Sequence, residues 1–207
     1  MGIVLYIHGM GGGGDSRIPS ILSEELKDAG VQVVVRTYDF DPEVAAVQIG
    51  RWVEELDPAL VIGESLGALQ ALRIEGRPLL FVSPALNAPY YFELLAWLTL
   101  IPGVTFIFDR IYRPREGDRQ KLHFTFKVLR KYLPHRCMAL KDREDGFIHA
   151  FFGVNDHYMD SNIVSVKTWR KHFGYSYSLY EGTHFMEEEY VRTLLKDVVL
   201  NMLDINK

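Results

Sequence analysis

Gly63-Glu64-Ser65-Leu66-Gly67 follows the apolar run Ala59-Leu60-Val61-Ile62 and leads straight into Ala68-Leu69-Gln70-Ala71-Leu72-Arg73-Ile74. The pattern is G-x-S-x-G between a short buried strand and a helix, a context that sets a serine on a sharp strand-to-helix turn. Such a turn holds the serine in strained backbone space, and glycines two residues to either side let neighbouring segments come close. The hydroxyl then stands clear of the sheet, with a helix N-terminus behind it that favours developing negative charge. Ser65 is therefore a candidate nucleophile. Five residues alone do not establish one, so the rest of the chain has to supply its partners.

Outward from that turn, strands and helices alternate. Ile3 to Ile7 is a continuous apolar run, as expected of a buried parallel strand. The loop His8-Gly9-Met10-Gly11-Gly12-Gly13-Gly14 follows, and Asp15 or Ser16 can cap a helix carrying Ile18, Ile21, Leu22 and Leu26 up to Gly30. Val31 to Tyr38 reads as a second strand, Asp41-Pro42 opens a helix running to about Leu56, and Asp57-Pro58 breaks it. Ala59 to Ile62 is strand three and Pro78 to Val82 strand four. The alternation stops from Asn87 to about Gly146 and resumes with strand five, Phe147 to Phe152. A helix over roughly Asn162 to His172, strand six from Tyr175 to Tyr180, and a last helix between Phe185 and about Met202 complete the chain. This order predicts an α/β fold in one domain over residues 1–207. About six parallel strands form its sheet, with helices on both faces and right-handed crossovers.

Ligands in such sheets bind at the carboxyl ends of the strands. Strand one ends in His8-Gly9-Met10, strand three in Ser65, strand five in Asn155-Asp156-His157 and strand six in Gly182-Thr183-His184. A serine, an acid and a histidine thus occur in the order Ser65, Asp156, His184, each just past a strand end. Acyl transfer needs such a set. A serine hydroxyl is a poor nucleophile until an imidazole takes its proton, and the imidazole needs a carboxylate to fix its tautomer. Asp160 and Asp145 are alternative acids, whereas His157 and His149 read as structural.

The matching features are His8-Gly9-Met10, Gly63-Glu64-Ser65-Leu66-Gly67, Gly153-Val154-Asn155-Asp156 and Gly182-Thr183-His184-Phe185. With them the sequence resembles the α/β-hydrolases, specifically the small bacterial serine hydrolases that lack the extra N-terminal antiparallel strands. The resemblance implies Ser65 as nucleophile, His184 as general base, Asp156 as the acid, and an oxyanion hole from the backbone N–H groups of Met10 and Leu66. It also implies a lid between strands four and five, over residues 87–146. The expected substrate is a small-molecule acyl ester or thioester, and no metal or cofactor is required.

Composition narrows the alternatives. The 207 residues carry a net charge of −4, which gives no case for nucleic acid, and a single cysteine, Cys137, which excludes an internal disulfide. The N-terminus is apolar from Ile3 without a basic leader, so it reads as a strand, not a signal peptide, and the expected location is cytoplasmic. No motif specifies an oligomeric state. Between Asn87 and Phe147 there are eleven Lys/Arg against seven Asp/Glu, so the insertion is the basic part of an acidic chain. Its apolar stretch Leu94 to Phe108 reads as a lid helix packed over the site. The following Arg110, Arg113, Arg115, Arg119 and Lys121 leave membrane contact as a lesser reading. Two further readings compete with hydrolysis. Gly9 to Gly14 also satisfies G-x-G-x-x-G, with Asp39 near the end of strand two, which is the NAD(P)-binding fingerprint. The other is a non-catalytic binding protein that keeps the hydrolase fold.

Overall fold

The computed structural model describes residues 2–112, 116–141 and 147–205. Its strands are β1 (Gly2–Ile7), β2 (Val31–Val35), β3 (Leu60–Glu64), β4 (Leu79–Val82), β5 (Ile148–Gly153) and β6 (Tyr177–Tyr180). They form one parallel sheet in the order β2-β1-β3-β4-β5-β6. Between and after them lie α1 (Arg17–Leu26), α2 (Pro42–Leu56), α3 (Ala68–Ala71), α4 (Ala88–Leu98), α5 (Val104–Ile111), α6 (Phe126–Ala139) and α7 (Val166–Phe173). The last helical stretch runs through α8 (Glu188–Tyr190), a π-helical turn (Val191–Leu195) and α9 (Lys196–Ile205).

Burial on both faces explains why β1, β3 and β4 read as near-continuous apolar runs, whereas the edge strands β2 and β6 carry Gln32 and Ser178. In β1, Val4 and Tyr6 point into one core while Leu5 and Ile7 point into the other. The first core is closed by α1 and the C-terminal helices through Ile18, Leu22, Leu195 and Val199. The second is closed by α2, α3 and α7 through Ile49, Leu69 and Trp169, with Leu129 of α6 in the same cluster and α6 packed on α4, α2 and α3. The Asp41 carboxylate accepts from the Glu43 N–H at the start of α2, and Pro42 sets the first turn.

Local boundaries differ from the sequence reading in three places. β2 stops at Val35, because Tyr38 and Phe40 turn inward on a loop instead of continuing the strand. The helix expected from Asn162 begins at Val166, where the Ser165 hydroxyl accepts from Thr168 N–H as its cap. Residues 126–139 are a helix packed against α4, α2 and α3, although the sequence reads there as irregular. Its inward face carries His135 and Arg136 beside Leu129 and Tyr132, and Pro134 lies inside it, so the usual apolar stripe is absent. The Arg136 guanidinium is satisfied there by Leu86 O at 2.6 Å and Asn87 Oδ1 at 3.0 Å.

The chain leaves β1 to one side for β2 and returns to the other side for β3. That reversal opens a crevice above the carboxyl ends of β1 and β3. Both Ser65 and the glycine loop sit at its edge.

Candidate active site

Ser65 is the first residue of a single 3-10 turn between β3 and α3, with φ at +48°. An L-residue in the left-handed region is strained, and here the surrounding contacts enforce it. A Cβ on Gly67 would lie 2.4 Å from His8 O and 2.5 Å from Ile7 O, and one on Gly63 would lie 2.8 Å from Ala71 Cβ. The two flanking glycines therefore let α3 press against β1 and β3 and tighten the turn, as the spacing of the pattern anticipates.

His184 and Asp156 come from the neighbouring strand ends. Ser65 Oγ lies 2.8 Å from His184 Nε2, and His184 Nδ1 lies 2.8 Å from Asp156 Oδ2. Asp156 and His184 are 2% and 3% exposed. The second Asp156 oxygen accepts from the Tyr158 N–H at 2.8 Å, and the Tyr158 ring stands edge-on to the imidazole at 4.6 Å. Of the alternative acids, Asp160 is exposed and Asp145 lies outside the described residues. His157 is exposed beside Tyr158, and His149 lies in β5 with its Nε2 3.0 Å from Ser178 Oγ.

The His184 loop is braced from both sides. The Arg17 guanidinium donates to Phe185 O and, at 2.8 Å, to Met186 O, while the Tyr180 hydroxyl donates to Thr183 O at 2.7 Å. Under the turn, the Tyr6 hydroxyl donates to Glu64 Oε2 at 2.9 Å, and loss of hydration pushes the Glu64 carboxyl above its ordinary range. His8 is fully buried, with Nδ1 2.7 Å from Gly9 O, and burial lowers its pKa to about 4. It is therefore a neutral ring at pH 7, stacked on Tyr38 at 4.4 Å. Tyr158, Arg17 and the Glu64–Tyr6 pair were not singled out in the sequence. Only Glu64 left a signal there, as a lone charge in an otherwise apolar or small-residue turn.

A cavity of about 630 Å³ opens over Ser65 and His184. Met10 and Leu66 border it, together with Phe92 of α4, Ile111 of α5 and Leu122, so the stretch after β4 supplies one wall. Much of the outward surface of α4 and α5 is apolar, with Leu94, Trp97, Phe106 and Ile111 more than half exposed. Among the described residues no helix is long and apolar enough to cross a membrane. The glycine loop is closed on its far side by the chain itself. A Cβ on Gly13 would lie 1.7 Å from Asp118 O and one on Gly14 2.4 Å from Asp118 Oδ2. The room that a dinucleotide pyrophosphate needs against these glycines thus holds residue 118, and the Asp39 carboxylate accepts from Asp41 N–H.

No family model matches the chain, and no curated protein sequence does. Solved structures do match it. Est1E from Butyrivibrio proteoclasticus, also solved with ferulic acid bound, is 18% identical with a TM-score of 0.65, over 100% of this chain and 89% of Est1E. Mouse alpha/beta hydrolase domain-containing protein 10 is 14% identical with a TM-score of 0.68, over 99% of this chain and 90% of the mouse protein. The chain has the α/β-hydrolase fold. A third α/β-hydrolase-like match comes from LipS and LipT, two metagenome-derived lipolytic enzymes, at 18% identity and a TM-score of 0.59, over 99% and 93% of the two chains.

Proposed function

We propose that the protein is a serine hydrolase that cleaves a small carboxylic ester or thioester through an acyl-enzyme intermediate. The observation that carries this is the unbroken chain Ser65 Oγ, His184 Nε2, His184 Nδ1, Asp156 Oδ2, with 2.8 Å at each contact and its serine end at the cavity. LipS and LipT, which are lipolytic enzymes of similar fold, agree with it.

In this reading Ser65 Oγ attacks the acyl carbon while its proton passes to His184 Nε2. Asp156 holds the Nδ1 proton and stabilises the imidazolium that forms. The carbonyl oxygen becomes an oxyanion and accepts from the Met10 and Leu66 N–H groups, each such donor being worth about 3 kcal/mol. As the tetrahedral intermediate collapses, the imidazolium gives its proton to the departing alkoxide or thiolate. Water then enters, loses a proton to Nε2, and releases the acid by the same path in reverse. In this reading the cover is drawn from residues 87–146, of which α4, α5 and residues 116–122 border the cavity, so substrate choice resides chiefly in their apolar side chains.

A fluorophosphonate probe tests the proposal. The expected result is a single adduct mapped to Ser65, absent in Ser65→Ala, together with hydrolysis in a panel of nitrophenyl esters and acyl-CoA thioesters. Folded protein that leaves Ser65 unlabelled and turns over none of these would overturn it.

A further inference from the structure

The loop between β1 and α1 carries glycine at positions 9, 11, 12, 13 and 14. Such a segment has the largest backbone entropy to lose, yet an oxyanion donor works only if it is aimed before charge develops. Something outside the loop must hold it. The two peptide planes that bracket Met10 are each pinned. On one side Gly9 O accepts from Gly12 N–H at 3.1 Å and lies 2.7 Å from His8 Nδ1. On the other side Gly11 N–H donates to Gln120 Oε1 at 3.0 Å.

Gln120 does more than accept that bond. Its own N–H donates to Gly12 O at 2.7 Å, and its Nε2 donates to Tyr38 O at 3.2 Å. The side chain is 2% exposed, so every polar atom it presents is committed. It bridges the glycine loop to the segment after β2 and belongs to the stretch that follows α5 in the cover. Residue 118 fills the space beside Gly13 and Gly14, and its carbonyl accepts from Thr37 Oγ1 at 3.3 Å.

We propose that Gln120 is a positioning residue for the oxyanion hole: it fixes the Met10–Gly11 peptide plane, which adjoins the Gly9–Met10 plane that carries the Met10 N–H and is itself held through Gly9 O, and so limits how that donor can turn. The inference rests on the hydrolase reading above. It also makes the hole dependent on the cover: residues 116–122 have to be seated on the glycine loop before the Met10 donor is in place. The glycine at position 13 then has a reason beyond turn-making, since a Cβ there would meet the Asp118 and Arg119 backbone and unseat this clamp.

Two variants test it with a nitrophenyl ester as substrate and a trifluoromethyl ketone as tetrahedral mimic. Gln120→Leu keeps the bulk and removes the polar contacts. We expect kcat to fall about tenfold or more, within the roughly 10²–10³ range for outright loss of one donor. KM should stay within about twofold, and the ketone inhibition constant should rise by the same factor as kcat falls. Gln120→Glu separates aiming from mere packing and remains informative if the leucine variant does not fold. A protonated glutamic acid can still accept from Gly11 and donate to Tyr38 O, whereas the ionised form cannot donate. The ratio of variant to wild-type kcat should therefore rise as pH is lowered. Wild-type kcat in folded Gln120→Leu, or a Gln120→Glu ratio that stays flat with pH, would overturn the clamp. Ser65→Ala keeps the two levels apart. Activity that survives Ser65→Ala defeats the hydrolase reading itself, whereas activity that requires Ser65 but ignores Gln120 defeats only the clamp.

Discussion

Replacing Asp156 with asparagine changes the site by one atom and should stop it almost completely. The two carboxylate oxygens have different partners: Oδ1 accepts from the Tyr158 N–H and Oδ2 faces His184 Nδ1, each at 2.8 Å. An asparagine keeps one acceptor. If its oxygen stays on Tyr158, the amide NH2 faces His184, Nδ1 must accept, and the ring proton moves to Nε2. That nitrogen then donates to Ser65 Oγ and cannot take its proton. Turning the amide over would set NH2 against the buried Tyr158 N–H, at a cost of about 1–3 kcal/mol. Losing the charge-assisted bond to the imidazolium removes about 1.5–3 kcal/mol more. Together these amount to about 2.5–6 kcal/mol, or roughly two to four decades in rate. Steady-state kinetics on a nitrophenyl ester should therefore show kcat down about 10³-fold with KM nearly unchanged. The melting temperature should move little, because the isostere keeps the shape and most of the hydrogen bonds. A kcat within threefold of wild type would refute the assignment and move the acid elsewhere on the chain.

Two further outcomes follow from the same geometry. Gly13→Ala puts a methyl group 1.7 Å from Asp118 O and 2.9 Å from Arg119 Cα, both backbone atoms that cannot rotate away. It should destabilise by about 1–3 kcal/mol or more in urea unfolding. Gly50→Ala in α2, where a Cβ meets nothing within 4 Å, should instead stabilise by about 1 kcal/mol, and equal effects at the two glycines would sink the packing argument. Buried His8 and His135 both titrate near pH 4, their pKa values lowered chiefly by loss of hydration. Because the unfolded chain takes up these protons first, at about pH 6.5, stability should rise with pH from about 4 to 6.5 and be lost on acidification through that window. At pH 4.5 each ring then contributes a loss of about 2–3 kcal/mol relative to pH 7. His135→Gln should remove its share of that slope, so unfolding curves at pH 7 and 4.5 with an unchanged difference would contradict it.

The parts of the fold that sequence exposes are those governed by local periodicity and burial. Six strand-like segments, most of them apolar or β-branched, correspond to six strands, and Ser65, Asp156 and His184 can be placed at strand ends by reading outward from each. The structure brings those three side chains within hydrogen-bond reach, which strand-end positions alone do not specify. Gln120 stayed hidden for a physical reason. It acts through the Gly11 N–H, 109 residues away, and the Tyr38 C=O, 82 residues away, and every sequence possesses such groups. α6 was obscured differently, because its buried face includes His135 and Arg136 and polar residues at inward positions defeat a hydropathy pattern. A sharp, strained turn at Ser65 is legible in the G-x-S-x-G pattern, and the structure adds its left-handed φ, whereas the backbone bracing of the His184 loop by Arg17 has no counterpart in any motif.

The strand order β2-β1-β3-β4-β5-β6 also sets a sequence of events along the chain. From β4 onward each strand pairs with the one formed immediately before it, so the sheet extends outward at a single growing edge. Ser65 is fixed in its turn near the start of that process, and His184 arrives only with the strand that closes the far edge. A chain emerging N-terminus first therefore carries its serine as an ordinary alcohol through most of its synthesis. On the roles proposed here, reactivity toward acyl groups begins when the last strand docks, and folding itself arms the enzyme.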